Sequence, residues 1–79
     1  DYFFTKAQEQ ELISQSQKGE TAAFDQLVLC YHHRIYNLCF KMTRDPDISH
    51  DLTQEAFLHA FYHISSFQGK STFYTWMYK

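Results

Sequence analysis

Glycine and proline are scarce in this chain, two and one among 79 residues, which leaves few of the turns that a sheet of short strands needs. Cysteine is equally sparse. Cys30 and Cys39 are separated by eight residues within one expected helix, too far apart along it to bridge, and neither belongs to a CxxC pair, so both are expected as reduced, buried thiols. No run of about eighteen apolar residues occurs and no basic-then-apolar leader opens the chain, so neither membrane insertion nor secretion is supported and a cytoplasmic location is expected. Cations are also in short supply. Seven Lys and Arg face nine Asp and Glu, for a formal charge of −2, which taken alone argues against a nucleic-acid binder.

Aromatic side chains, in contrast, are abundant. Eight Phe, six Tyr and one Trp are far more than a solvated peptide carries, and they suit a short chain that must fill a small core efficiently. The charge is unevenly spread. Residues 1–60 hold all nine carboxylates, whereas residues 61–79 hold Lys70 and Lys79 and no acid, so the two ends of the domain are expected to meet different partners.

The pattern predicts an all-α bundle of three to four helices. Thr5 can cap a first helix with Gln8 reaching back as a capping box, and Gly19 suits its left-handed end. A second helix is expected from Thr21 to about Arg44, stopped by Pro46. Phe24, Leu27, Val28, Tyr31, Ile35, Leu38, Cys39 and Met42 recur at steps of three and four and define its packing stripe. A shorter row of Leu29, His33, Tyr36 and Phe40 lies off that stripe, either as further core or as a binding flank. The third helix is expected to be capped by Asp47 or Ser49 and to run to about Ser65, with Leu52, Ala56, Phe57, Ala60 and Ile64 inward. A loop from Ser65 to Ser71 contains Gly69, and Ser71 or Thr72 can cap a fourth helix that runs off the end of the chain. No internal repeat or linker divides residues 1–79.

At a hundred degrees per residue, Asp51, Gln54, Glu55, Leu58 and Tyr62 share the side of the third helix opposite its core residues. A Leu and a Tyr beside carboxylates resemble an interface with an apolar centre and a polar rim. An incidental exposed Leu, with Asp51 favoured by the helix dipole, explains the same pattern, and spacing does not choose between them. In the last segment Phe73, Trp76 and Met77 fall on one face and Tyr74 and Tyr78 on another. Rings beside Lys70 and Lys79 suit single-stranded nucleic acid, and inward packing, expected for Phe73, is the competing use. His59 and His63 have the i, i+4 spacing of a metal-binding pair, but no third ligand is placed and no metal is expected. No phosphate loop, nucleophile elbow or paired carboxylates suggest catalysis, so no enzyme and no cofactor is expected.

The segments DLTQEAF (Asp51–Phe57) and SFQGKSTFYTW (Ser66–Trp76) resemble region 2 of sigma factors of the extracytoplasmic-function (ECF) group. FDQLVLCYHHRIY from Phe24 and ELISQSQKGE from Glu11 extend the resemblance over nearly the whole chain. It implies that Asp51, Gln54 and Glu55 grip the clamp helices of the polymerase beta-prime subunit, with Leu58 and Tyr62 added on geometric grounds. It further implies that the loop before the fourth helix receives an unstacked base of the minus-ten promoter element on the non-template strand. Phe67, Gln68, Lys70, Ser71, Thr72, Tyr74, Trp76 and Lys79 are the residues expected there. The resemblance implies promoter melting without covalent chemistry and an anti-sigma factor as a further partner. Relative to the family pattern, the fourth helix breaks off at residue 79 and the C-terminal helix-turn-helix is missing, so 1–79 is expected to be one region 2 domain of a longer protein. Two other readings remain at this point: a helical interaction module without DNA binding, and a metal-dependent enzyme using His59, His63 and Glu55.

Overall fold

In the computed structural model, which describes residues 5–78, the chain folds into helices α1 (Lys6–Gln17), α2 (Thr21–Thr43), α3 (Pro46–His63) and α4 (Phe73–Tyr78), with a 3-10 turn at Ile64–Ser66 before α4. No strand occurs among the described residues. The expected all-α bundle is what forms.

The helix ends follow from local chemistry. Thr5 Oγ1 accepts from the Gln8 amide at 3.1 Å and Gln8 Oε1 accepts from the Thr5 amide at 2.8 Å, closing the capping box. At the other end of α1 the Gly19 amide donates to Ser16 O and the Glu20 amide to Gln15 O, both at 3.0 Å. This is the Schellman arrangement, and it needs Gly19 at φ +97°. Helix α2 ends differently. Arg44, not a glycine, takes the left-handed position at φ 57°, and its amide donates to Phe40 O at 2.8 Å.

The cap of α3 is neither Asp47 nor Ser49. Asp45 holds that position, its Oδ1 accepting from the Asp47 amide at 2.9 Å and the Ile48 amide at 3.1 Å. Pro46 occupies the first helical turn, where its missing N–H costs nothing, and this places the cap one residue before it. Ser49 is instead fully buried, its hydroxyl 2.7 Å from that of Thr43.

Helix α2 lies at the centre, against α1 on one side and α3 on the other. Leu27 and Phe73 are completely enclosed, and Ile13, Phe24, Ile35, Phe57, Ala60 and Ile64 complete the core around them. Cys30 and Cys39 are buried thiols. Burying a Leu or Phe of this kind contributes roughly 1.5–3 kcal/mol each.

Three packing expectations are corrected. Met42 is 70% exposed, because α1 runs back along α2 only to about Tyr31, where Glu9 accepts from the Tyr31 hydroxyl, and the last turn of α2 extends past it. Leu52 sits at the surface while Ser49 and Thr53 take the inward positions. The close approach of α2 and α3 at this end favours small side chains, and the Thr53 hydroxyl is satisfied by donating to Ser49 O at 2.7 Å. Leu29 is 80% exposed rather than core, and Tyr36 and Phe40 from the same row are half-buried and stack on each other at 6.3 Å.

Candidate polymerase and nucleic-acid surfaces

Helix α3 carries the first surface. With Ser49, Thr53, Phe57 and Ala60 turned inward, its period leaves Asp51, Gln54, Glu55, Leu58 and Tyr62 exposed, Leu58 at 55% and Tyr62 at 71%. None of the three polar side chains makes a hydrogen bond or ion pair with another described residue. Two carboxylates one turn apart repel each other by a few tenths of a kcal/mol, and a cationic partner reverses that sign. Alongside, Gln54 and Leu58 line an open groove of about 330 Å³ whose other wall is α2, with Thr21, Asp25 and Val28. Asp25 and Thr21 thus join the face. The sequence offers no sign of this, because it depends on how α2 and α3 are aligned against each other.

The second surface surrounds the segment between the 3-10 turn and α4. Both ends of that loop are tied to α1. At its start Gln17 Nε2 donates to Ile64 O and Phe67 O, each at 3.0 Å. At its end the Phe73 amide donates to Glu9 Oε2 at 3.4 Å. Gly69 turns the loop at φ 76°, and Thr72 Oγ1 caps α4 by accepting from the Thr75 amide at 3.1 Å. Gln68, Lys70, Ser71 and Thr72 are left exposed. Gly69, Lys70, Ser71 and Thr72 form one wall of a hollow of about 530 Å³, and Lys6, Glu9, Gln10 and Ile13 of α1 form the opposite wall.

The aromatic residues divide. Phe73 is enclosed, and Phe67 and Trp76 pack edge-on at 5.2 Å with both rings against Phe73. Phe67 and Trp76 are therefore half-buried parts of the core edge. Tyr74 is half-buried, near-parallel to Tyr31 at 6.2 Å, and Tyr78 stands edge-on to it at 5.2 Å with much of its ring in solvent. Lys79 lies outside the described residues. The Tyr31 hydroxyl donates to the Glu9 carboxylate. Burial, and next that bond to Glu9, push the Tyr31 phenol well above its ordinary range.

His59 and His63 bring their rings to 4.3 Å. No group of three or more metal-ligating side chains forms among the described residues, and no described helix is long and apolar enough to cross a membrane.

A family profile described as Sigma-70 region 2 matches residues 27–79. The chain is 41% identical over 75 residues to the RNA polymerase sigma-H factor of Pseudomonas aeruginosa, covering 95% of this chain and 39% of that protein. It is 39% identical over 71 residues to the ECF RNA polymerase sigma-E factor of Escherichia coli, covering 90% of this chain and 37% of that one. The sigma-E factor of Salmonella typhimurium is 38% identical over the same length. The chain spans about two fifths of the length of these curated relatives. On the profile match, the identity and the four-helix architecture together, the chain belongs to the sigma-70 family of sigma factors, as their region 2.

Proposed function

We propose that this chain acts in transcription initiation, docking on core RNA polymerase through the outer face of α3 and holding the unpaired minus-ten strand of the promoter at its α4 end. The observation that carries the reading is the exposure of Asp51, Gln54, Glu55, Leu58 and Tyr62 together, an apolar strip rimmed by polar side chains that make no hydrogen bond or ion pair with another described residue. Its complement is a cationic helical surface, for which the beta-prime clamp helices are the assignment. At the opposite end, the hollow between α1 and the loop is of a size that suits a small ligand. An extruded base there recovers its unstacking cost of a few kcal/mol by stacking and edge contacts. Lys70, Ser71 and Thr72 in the wall of the hollow supply donors and acceptors, while the exposed Gln68 and the exposed face of Tyr78 lie outside it for the flanking nucleotides. Phe67, Tyr74 and Trp76 serve as the floor that supports the loop. Capturing open DNA shifts the melting equilibrium with no covalent step. The exposed Leu29 with Tyr36 and Phe40 is the flank we assign to an anti-sigma factor.

The test is charge reversal. Asp51→Arg and Glu55→Arg should each abolish capture of the chain by the beta-prime clamp helices while leaving its helical circular dichroism intact, since both residues are exposed. Capture at the unaltered level would remove the basis of this reading.

A further inference from the structure

The α4 end has too few cations of its own for a nucleic-acid surface: among the described residues from 61 onward Lys70 is the single Lys or Arg. The fold brings in another from α2. The guanidinium carbon of Arg34 lies 4.2 Å from the Tyr74 ring centre and 5.2 Å from that of Tyr31. Those two rings are 6.2 Å apart and within 17° of parallel, so one guanidinium covers both. Arg34 is exposed, and no described carboxylate pairs with it. Two rings therefore restrain the guanidinium of an exposed side chain, and a guanidinium in cation–π contact keeps N–H donors for a phosphate. Tyr74 then leads edge-on to the exposed Tyr78, so a cation and a row of rings stand side by side. Single-stranded nucleic acid is bound by that combination, with cations on phosphates and rings on bases.

We propose that Arg34 is a phosphate-contacting residue of the DNA surface, pre-oriented by Tyr31 and Tyr74. This rests on the reading that the α4 end holds the unpaired strand. It also accounts for a nucleic-acid surface on a chain of net negative charge, because cations are contributed across the fold, Arg34 from a helix forty residues earlier beside Lys6 of α1 in the wall of the hollow.

The experiment assembles the protein with core polymerase and measures affinity for a labelled single-stranded minus-ten oligonucleotide between about 50 and 200 mM salt. Each phosphate contact on a single strand contributes about 0.7 to the slope of log affinity against log salt, which over that range is about a 2.6-fold change. Arg34→Gln should flatten the slope by about 0.7 and Arg34→Lys should retain it, since the charge survives. Weaker binding at unchanged slope in both variants would make Arg34 only a fastener between α2 and α4, and would overturn the inference. Lys70→Gln separates the two levels. If it flattens the slope and Arg34→Gln does not, the inference fails while the DNA surface stands. If neither does, the DNA surface fails with it.

Discussion

Glu9 fastens three helices at once, and its removal is the most informative single change for the architecture. One carboxylate oxygen accepts from the buried Tyr31 hydroxyl on α2, and the other from the Phe73 amide at 3.4 Å where α4 begins. In Glu9→Ala the first loss is a hydrogen bond to a charged group, roughly 1.5–3 kcal/mol, with a buried hydroxyl left unsatisfied. The second bond is long and adds little. A total of about 2–3 kcal/mol translates, for a domain of this size, into a fall in Tm of about 10–20 °C. Thermal denaturation followed by circular dichroism reads it directly. A double-mutant cycle with Tyr31→Phe should return a coupling of about 1–2 kcal/mol, because the two groups share one bond. A Glu9→Ala chain that melts within about 3 °C of the parent, or effects that simply add, would mean that Glu9 does not fasten α2 and α4 to α1.

Other outcomes follow from the same structure. Arg44→Gly should raise stability by about 0.5–1 kcal/mol. A left-handed non-glycine residue costs roughly 1–2 kcal/mol, offset in part by the greater freedom of glycine in the unfolded chain, and urea denaturation checks it. Tyr31 gives a pH dependence. Its folded phenol is pushed above the ordinary value by burial and by Glu9, so the folded state keeps a proton that the unfolded chain releases near pH 10. That stabilisation is complete below about pH 10 and is lost as pH rises beyond it. The Tm difference between the parent and Tyr31→Phe should therefore narrow between about pH 9 and 11, and a constant difference would contradict the assignment.

Much of the fold was legible because it is written in local chemistry. The Thr5–Gln8 box, the Gly19 stop and the break before Pro46 each need only neighbouring residues to be seen. The α3 cap is misassigned to Asp47 or Ser49 on sequence, although a proline in the first turn points to the residue before it, Asp45. The burial of Ser49 and Thr53 in preference to Leu52 was not legible. It follows from how closely α2 and α3 approach, and hydropathy ranks the residues the other way. The α3 face appeared in the helical period, whereas its continuation onto Thr21 and Asp25 depended on helix alignment. The α4 end was the least legible part. Gln17 reaches Ile64 and Phe67, Glu9 reaches Phe73, and Arg34 reaches Tyr74, all pairings between residues forty or more positions apart with no local signature.

The proposed docking of α3 on polymerase can be tested by placing a photo-crosslinking amino acid at position 58, and for comparison at position 29, and irradiating each protein bound to core polymerase. Both side chains are solvent-exposed in the chain alone, so exposure does not favour either. A crosslink to the beta-prime clamp helices is expected from position 58 and none to them from position 29. A beta-prime crosslink from position 29 with none from position 58 would contradict that docking.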